Sequence, residues 1–218
     1  MSLQDELDGI RAELGVRWPQ FLLDIQRMAN EAIASGYAEE ALKAGAMLPG
    51  FRLIRATGEP ISSGALLRTG PLIVIFYQGV WCPFNNCELR AFRALEPEIR
   101  ARGVGLVAIS PQLPKYAVAT EEATGATYPL LYDEGGRFAD ACGLRMSVAE
   151  DLRATYVAAG ADLPMYNGEF SWSVPLPARY VVGSDGIVAY CEVSPDPSRR
   201  TEPVQLLPLV DRLRRQRG

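Results

Sequence analysis

The stretch Leu72-Ile-Val-Ile-Phe-Tyr77, then Gln78-Gly-Val-Trp81 and Cys82-Pro83, decides how this chain is read. The first six residues are continuously apolar, β-branched and aromatic, which is the composition of a strand buried on both faces. Residues 78–81 form a short connection. Cys82-Pro83 opens a helix that runs through Asn86, Glu88, Arg90 and Glu96 towards Arg102. Pro83 suits the first helical position, where a missing N–H costs nothing. Cys82 therefore stands where a strand hands over to a helix, at or near the N-cap. Free N–H groups and the positive end of the helix dipole converge there. A thiolate in that place is stabilised, so its pKa is expected to fall and its nucleophilicity at neutral pH to rise. The competing reading is a small buried thiol beside a proline.

Working outward, residues 104–110 (Val-Gly-Leu-Val-Ala-Ile-Ser) read as a second buried strand. Strand, helix and strand within this length make a right-handed βαβ unit with parallel strands. A helix over 115–123, a strand over 128–132 and a helix over 137–142 follow. Another helix spans 150–159. Residues 160–177 read as a long loop rich in Gly, Pro, Asn and aromatics, of the kind that covers a site. Strands at 179–182 and 186–193, joined by Gly183-Ser-Asp-Gly186, form a hairpin. A final helix spans 201–216, with Pro208 as a possible kink. Its end carries a basic face of Arg212, Arg214, Arg215 and Arg217.

Upstream, residues 51–56 read as a strand and 57–60 as a turn, and Ser62 or Ser63 caps a short helix ending at Gly70. Residues 5–17, 20–35 and 37–43 have helical apolar spacing, with Trp18-Pro19 breaking the first two apart. Their apolar faces pack either on their own domain or against a second copy. The composition shift at residues 44–50 sets the boundary. An N-terminal helical extension occupies 1–45 and an α/β domain 46–218. A parallel βαβ unit, a terminal antiparallel hairpin and a closing helix form the thioredoxin-like arrangement, a central mixed sheet flanked by helices.

Composition narrows the chemistry. The chain has 218 residues and no histidine, which removes Ser-His-Asp and Cys-His catalysis and every imidazole zinc site. Four cysteines, Cys82, Cys87, Cys142 and Cys191, are too few for a disulfide scaffold. No metal or other cofactor is expected. A net charge of −4 gives no nucleic-acid footprint. There is no apolar run long enough to span a membrane, and the acidic N-terminus lacks a secretory core, so a cytoplasmic protein is expected.

Residues 76–84 (Phe-Tyr-Gln-Gly-Val-Trp-Cys-Pro-Phe) and Glu88-Leu-Arg-Ala91 resemble the peroxiredoxin-like branch of the alkyl hydroperoxide reductase and thiol-specific antioxidant (AhpC/TSA) family. So do residues 107–112, Asn167-Gly168, Ser171-Trp172 and residues 175–178, and the resemblance covers nearly the whole chain. It implies a thioredoxin fold and thiol-based peroxide reduction or disulfide exchange. It also implies a hydroperoxide substrate, a thiol reductant of thioredoxin or glutathione type, and a homodimer. By the same resemblance Pro177 takes the place of the cis-proline that faces the active cysteine. Arg179, two residues on, is either a cation beside that thiol or a solvated edge residue. Trp81 and Tyr77 wall the site or belong to the core, and Trp172 covers it.

The departures are informative. Members of this branch resemble thioredoxins in carrying Trp-Cys-Pro-x-Cys, and here Asn85 stands at the second cysteine position. No placement of the peroxiredoxin pattern Pro-x-x-x-Thr-x-x-Cys fits this chain. Cys87 lies five residues beyond Cys82, roughly 7.5 Å of rise and about 140° around the helix. A disulfide needs Cα atoms within about 7 Å, so the pair could close only if the first turn unwinds. Cys87 otherwise shares a core stripe with Phe84, Ala91 and Leu95. The candidate catalytic residues are thus Cys82 and Cys87, lined by Trp81, Pro83, Asn85, Pro177 and Arg179. Three functions stay open: a thiol peroxidase, a thiol–disulfide exchange protein, and a binding module that keeps the fold without the chemistry.

Overall fold

The computed structural model describes residues 2–215, so Gln216 of the expected terminal helix and Arg217 of the expected basic face lie outside the described residues. The chain opens with α1 (Leu3–Arg17), capped by Ser2, whose hydroxyl accepts from Asp5 N–H while Asp5 returns a bond to Ser2 N–H. Trp18 ends α1 and Pro19 starts α2 (Pro19–Ala34). A short α3 (Tyr37–Glu40) follows. Strands β1 (Arg52–Arg55) and β2 (Pro60–Ser62) form an antiparallel pair. Ser62 caps α4 (Ser63–Thr69), and Gly70 ends it.

The decisive strand is β3 (Leu72–Phe76), buried at every residue. It leads into α5 (Pro83–Ala101), with Cys82 as N-cap. Then come β4 (Gly105–Ser110), α6 (Pro114–Thr124), β5 (Leu130–Tyr132) and α7 (Arg137–Ala141). Next are β6 (Arg145–Ser147), α8 (Glu150–Ala158), α9 (Leu163–Asn167) and β7 (Ser173–Pro175). The chain closes with β8 (Ala178–Val182), β9 (Val188–Val193), a single 3₁₀ turn at Pro203–Leu206 and α10 (Leu207–Arg215).

The central sheet has the order β2-β1-β5-β4-β3-β8-β9. β3, β4 and β5 run parallel, as the βαβ unit requires. β8 and β9 are antiparallel, and β8 lies against the free side of β3. Because side chains alternate along a strand, β3 feeds both faces. Leu72, Val74 and Phe76 pack with Phe138, Tyr180 and Val182 on one side. Ile73, Ile75 and Tyr77 pack with Leu89, Phe92 and Val210 on the other.

Several expectations are corrected. Residues 160–177 are not one loop, since α9 and β7 lie within them, and β7 pairs with β6 in a separate two-stranded sheet. Three-residue strands are too short to show a period. The terminal helix starts at Leu207, after the 3₁₀ turn, so Pro208 sits in its first turn and does not kink it. The apolar faces of α1 and α2 are covered in part by the chain itself, while Val16 and Leu23 are exposed. Leu3 and Leu7 pack on Phe84 and Cys87, while Phe21 and Met28 pack on Leu152 and Tyr156. Ile33, one of the apolar residues at helical spacing in α2, is exposed. Among the described residues no helix is long and apolar enough to cross a membrane.

Candidate active site

The turn from β3 to α5 is held by side chains from three directions. Asn85 Oδ1 accepts the Gln78 N–H at 2.9 Å, and Asn86 Nδ2 donates to the Val80 carbonyl at 2.7 Å. From β4, Ser110 Oγ donates to the Gln78 carbonyl at 3.2 Å. Gln112 Oε1 accepts the Val80 N–H at 2.9 Å, while its Nε2 donates to Tyr77 Oη and Thr120 Oγ1. The Cys82 N–H donates back to Gly79 at 3.1 Å. Gly79 takes φ +156°, and a Cβ there would stand 2.7 Å from Trp81 Nε1. The loop is therefore packed tightly enough to demand glycine.

This frame puts Cys82 at the N-cap of α5, where its side chain makes no capping hydrogen bond and the Asn85 and Phe84 N–H groups act on the sulfur from the first turn. The sulfur is nonetheless buried, and burial pushes the thiol up to about 11. The two N–H groups and the Arg200 charge act against that rise, and the Glu88 carboxylate adds to it. The expected fall in pKa is thus reversed. The helix terminus is present, but losing water around the anion costs more than the helix terminus returns.

The cation that acts on Cys82 is Arg200, from the segment after β9. Arg179 is not a solvated edge residue. It is buried in β8, with Nε on Glu88 Oε1 at 2.5 Å and its guanidinium over the Phe92 ring. Arg200 Nε meets the other Glu88 oxygen at 3.0 Å, and Glu192 stands 3.5 Å from Arg179. Burial opposes the Glu88 charge, but Arg179 and Arg200 outweigh it and hold the carboxyl below its ordinary range. Arg179 Nη2 and Arg200 Nη2 have no hydrogen-bond partner among the described residues.

A small pocket of about 20 Å³ lies against the thiol, walled by Phe21, Met28, Trp81, Pro83, Met146 and Tyr156. Phe21 stacks edge-on against Tyr156 at 5.0 Å, and Tyr156 Oη donates to Met28 Sδ. Trp81 and Pro83 are in this wall, as the sequence suggested. Asn85 is not, and serves the loop instead. Pro177 has a trans peptide bond, as do all described residues, so the expected cis-proline is corrected. The trans form is the lower-energy isomer of an X-Pro bond, and here the Pro177 carbonyl accepts from Ser194 as β8 starts. Trp172 lies under Arg153 and does not wall the cavity.

All four cysteines are free. Cys87 faces α1, where its Sγ donates to Glu6 Oε2 at 3.4 Å, and burial with the Glu6 contact pushes it up to about 12. Cys142 belongs to the core on the other side of the sheet. Glu88 and Arg200 were not singled out from the sequence. Charged residues inside the helix of a reactive cysteine were the available signal for Glu88. Arg200 offered none.

The sequence profile of the AhpC/TSA family matches residues 44–191. The chain belongs to the AhpC/TSA family. Its class is that of thiol peroxidases and oxidoreductases. Among solved structures, the peroxidoxin BcpB of Mycobacterium tuberculosis superposes with a TM-score of 0.61 at 22% identity, over 81% of this chain and 99% of that one. A reduced Prx3 of Vibrio vulnificus in complex with hydrogen peroxide gives 0.61 at 19% identity, over 78% and 96%. The peroxiredoxin 6 of Arenicola marina gives 0.61 at 18%, over 81% and 76%. These similarities establish the thioredoxin-like fold for this AhpC/TSA chain. No curated protein sequence matches it.

Proposed function

We propose that the protein is a one-cysteine thiol peroxidase in which Cys82 is the peroxide-reactive residue. The supporting observation is the place of Cys82 at the N-cap of α5, with its sulfur facing a small pocket and acted on by the Arg200 charge. The Cys82 thiolate attacks the terminal oxygen of a hydroperoxide. An S–O bond forms, the O–O bond breaks, sulfur is oxidised, and the leaving alkoxide or hydroxide takes up a proton. A reductant thiol then attacks the sulfenic sulfur, expelling water, and a second reductant thiol cleaves the mixed disulfide. External thiols of thioredoxin or glutathione type fit this scheme, because Cys87 is turned towards Glu6 and held protonated. A homodimer follows from the family resemblance alone.

The rise of Cys82 to about 11 and the structural use of Asn85 favour a second reading, a fold retained without turnover. One experiment separates the two. Intact mass is measured after one equivalent of hydrogen peroxide with a sulfenic-acid trap, on the parent protein and on Cys82→Ser. The peroxidase reading expects a trapped adduct on the parent only. Loss of two protons without an adduct would bring Cys87 into the cycle, and no change would leave the second reading standing.

A further inference from the structure

The wall around Cys82 is unusual in its origin. Trp81 and Pro83 come with the thiol, but Phe21 and Met28 come from α2, and Met146 and Tyr156 from β6 and α8. On the far side of Phe21, Trp81 and Pro83 lies an outer groove of about 310 Å³, reached through Ile10, Leu14 and Trp18. Phe21, Trp81 and Pro83 face both spaces, so they are the partition between them. The groove holds a molecule of some size, whereas the inner space is about 20 Å³. Roughly 10–15 Å³ by this kind of measure is needed for one water. The paired oxygens of hydrogen peroxide are close to that limit, and a substituent on the peroxide would have to overlap the wall.

The wall is also stiff. Phe21 is buried and held edge-on by Tyr156, and Tyr156 is tied to Met28 through its hydroxyl. Trp81 packs against Tyr156 at 6.2 Å and is pressed against Gly79 from behind. A close-packed wall of this kind rejects added volume rather than yielding to it.

We propose that the cavity over Cys82 is a size sieve set by Phe21, which admits hydrogen peroxide and excludes hydroperoxides bearing an aryl or other bulky group. The peroxide part of this inference rests on Cys82 being the peroxide-reactive thiol, whereas the sieve itself rests on geometry.

The test uses reagents with the same reacting group and different bulk. Methyl and benzyl methanethiosulfonate are compared for the rate of Cys82 modification, read from the mass of the Cys82 peptide and normalised to urea-unfolded protein. Hydrogen peroxide and cumene hydroperoxide are compared in parallel. The methyl reagent is expected to outpace the benzyl reagent by about tenfold or more, and Phe21→Ala to close most of that gap. Met28→Ala serves the same purpose if Phe21→Ala fails to fold, judged by circular dichroism. Equal rates for the two thiosulfonates on the parent protein would overturn the sieve, whereas exclusion of both, with oxidation by hydrogen peroxide and not by cumene hydroperoxide, would support it. Discrimination between the thiosulfonates with no oxidation by either peroxide would leave the sieve and remove the peroxidase reading. Equal oxidation by both peroxides would do the reverse.

Discussion

Arg200 reaches back 112 residues to place its Nε 3.0 Å from Glu88 Oε2, with both side chains buried. Glu88 is thereby shared between Arg200 and Arg179, and the helix that carries Cys82 is pinned to β8 and to the segment after β9. Removing the carboxylate leaves two buried guanidinium groups facing each other. Glu88→Gln is expected to cost about 3–5 kcal/mol of stability, measured by urea unfolding. A loss within experimental error would mean that water already screens the pair.

The same triad sets an acid limit. The folded carboxyl of Glu88 titrates below its ordinary range, so its stabilising contribution is present above the ordinary carboxylate value. It is lost as the pH falls through the lower, folded value. Thermal midpoints should therefore drop as the pH is taken below about 4. In Glu88→Gln that drop should be smaller.

Cys82 should behave as a buried thiol with a distant titration. Its modification by methyl methanethiosulfonate is expected to rise about tenfold per pH unit between neutrality and pH 9, because the thiolate fraction grows that way below the pKa. The curve should bend near 11. A plateau already reached at pH 7 would show that the helix terminus outweighs burial. For stability the sign is opposite to that of Glu88. The raised thiol helps the fold below the ordinary thiol pKa, and that help fades as pH climbs through about 11.

Arg200→Met removes a cation that acts on Cys82. The modification rate at pH 8 is expected to fall by roughly tenfold, the scale of an opposite charge acting on an ionising group. A control with Arg90→Met, exposed on α5 two turns further on, should leave the rate unchanged.

Asn85→Cys restores the Cys-x-x-Cys spacing on a helix terminus, where the two Cα atoms fall within disulfide range. Mild oxidation is expected to remove two protons by mass, reversibly with dithiothreitol, and to leave Cys87 alkylatable after unfolding. The substitution also removes the bond from Gln78 N–H, at a cost of about 1 kcal/mol in the reduced form.

Local signals were enough for most elements. The continuous apolar run of β3, the proline at the start of α5 and the Gly-Ser-Asp-Gly turn each act within a few residues, so the βαβ unit, the terminal hairpin and the N-cap position of Cys82 could be read directly. β6, β7 and α9 could not, because elements of three to five residues carry no period of their own and exist through their partners.

The chemical environment of Cys82 belongs to the tertiary structure. A helix N-terminus can be recognised from the chain around it, and it argued for a lowered pKa. Desolvation depends on everything packed against the sulfur, and here that includes α2, α8 and β6, drawn from distant parts of the chain. The pairing of Glu88 with Arg200 is of the same kind, since which charges share a buried site follows only from how the strands and loops return. Sequence order told where the thiol stands on its helix, and packing decided its charge, its cation and the size of the space in front of it.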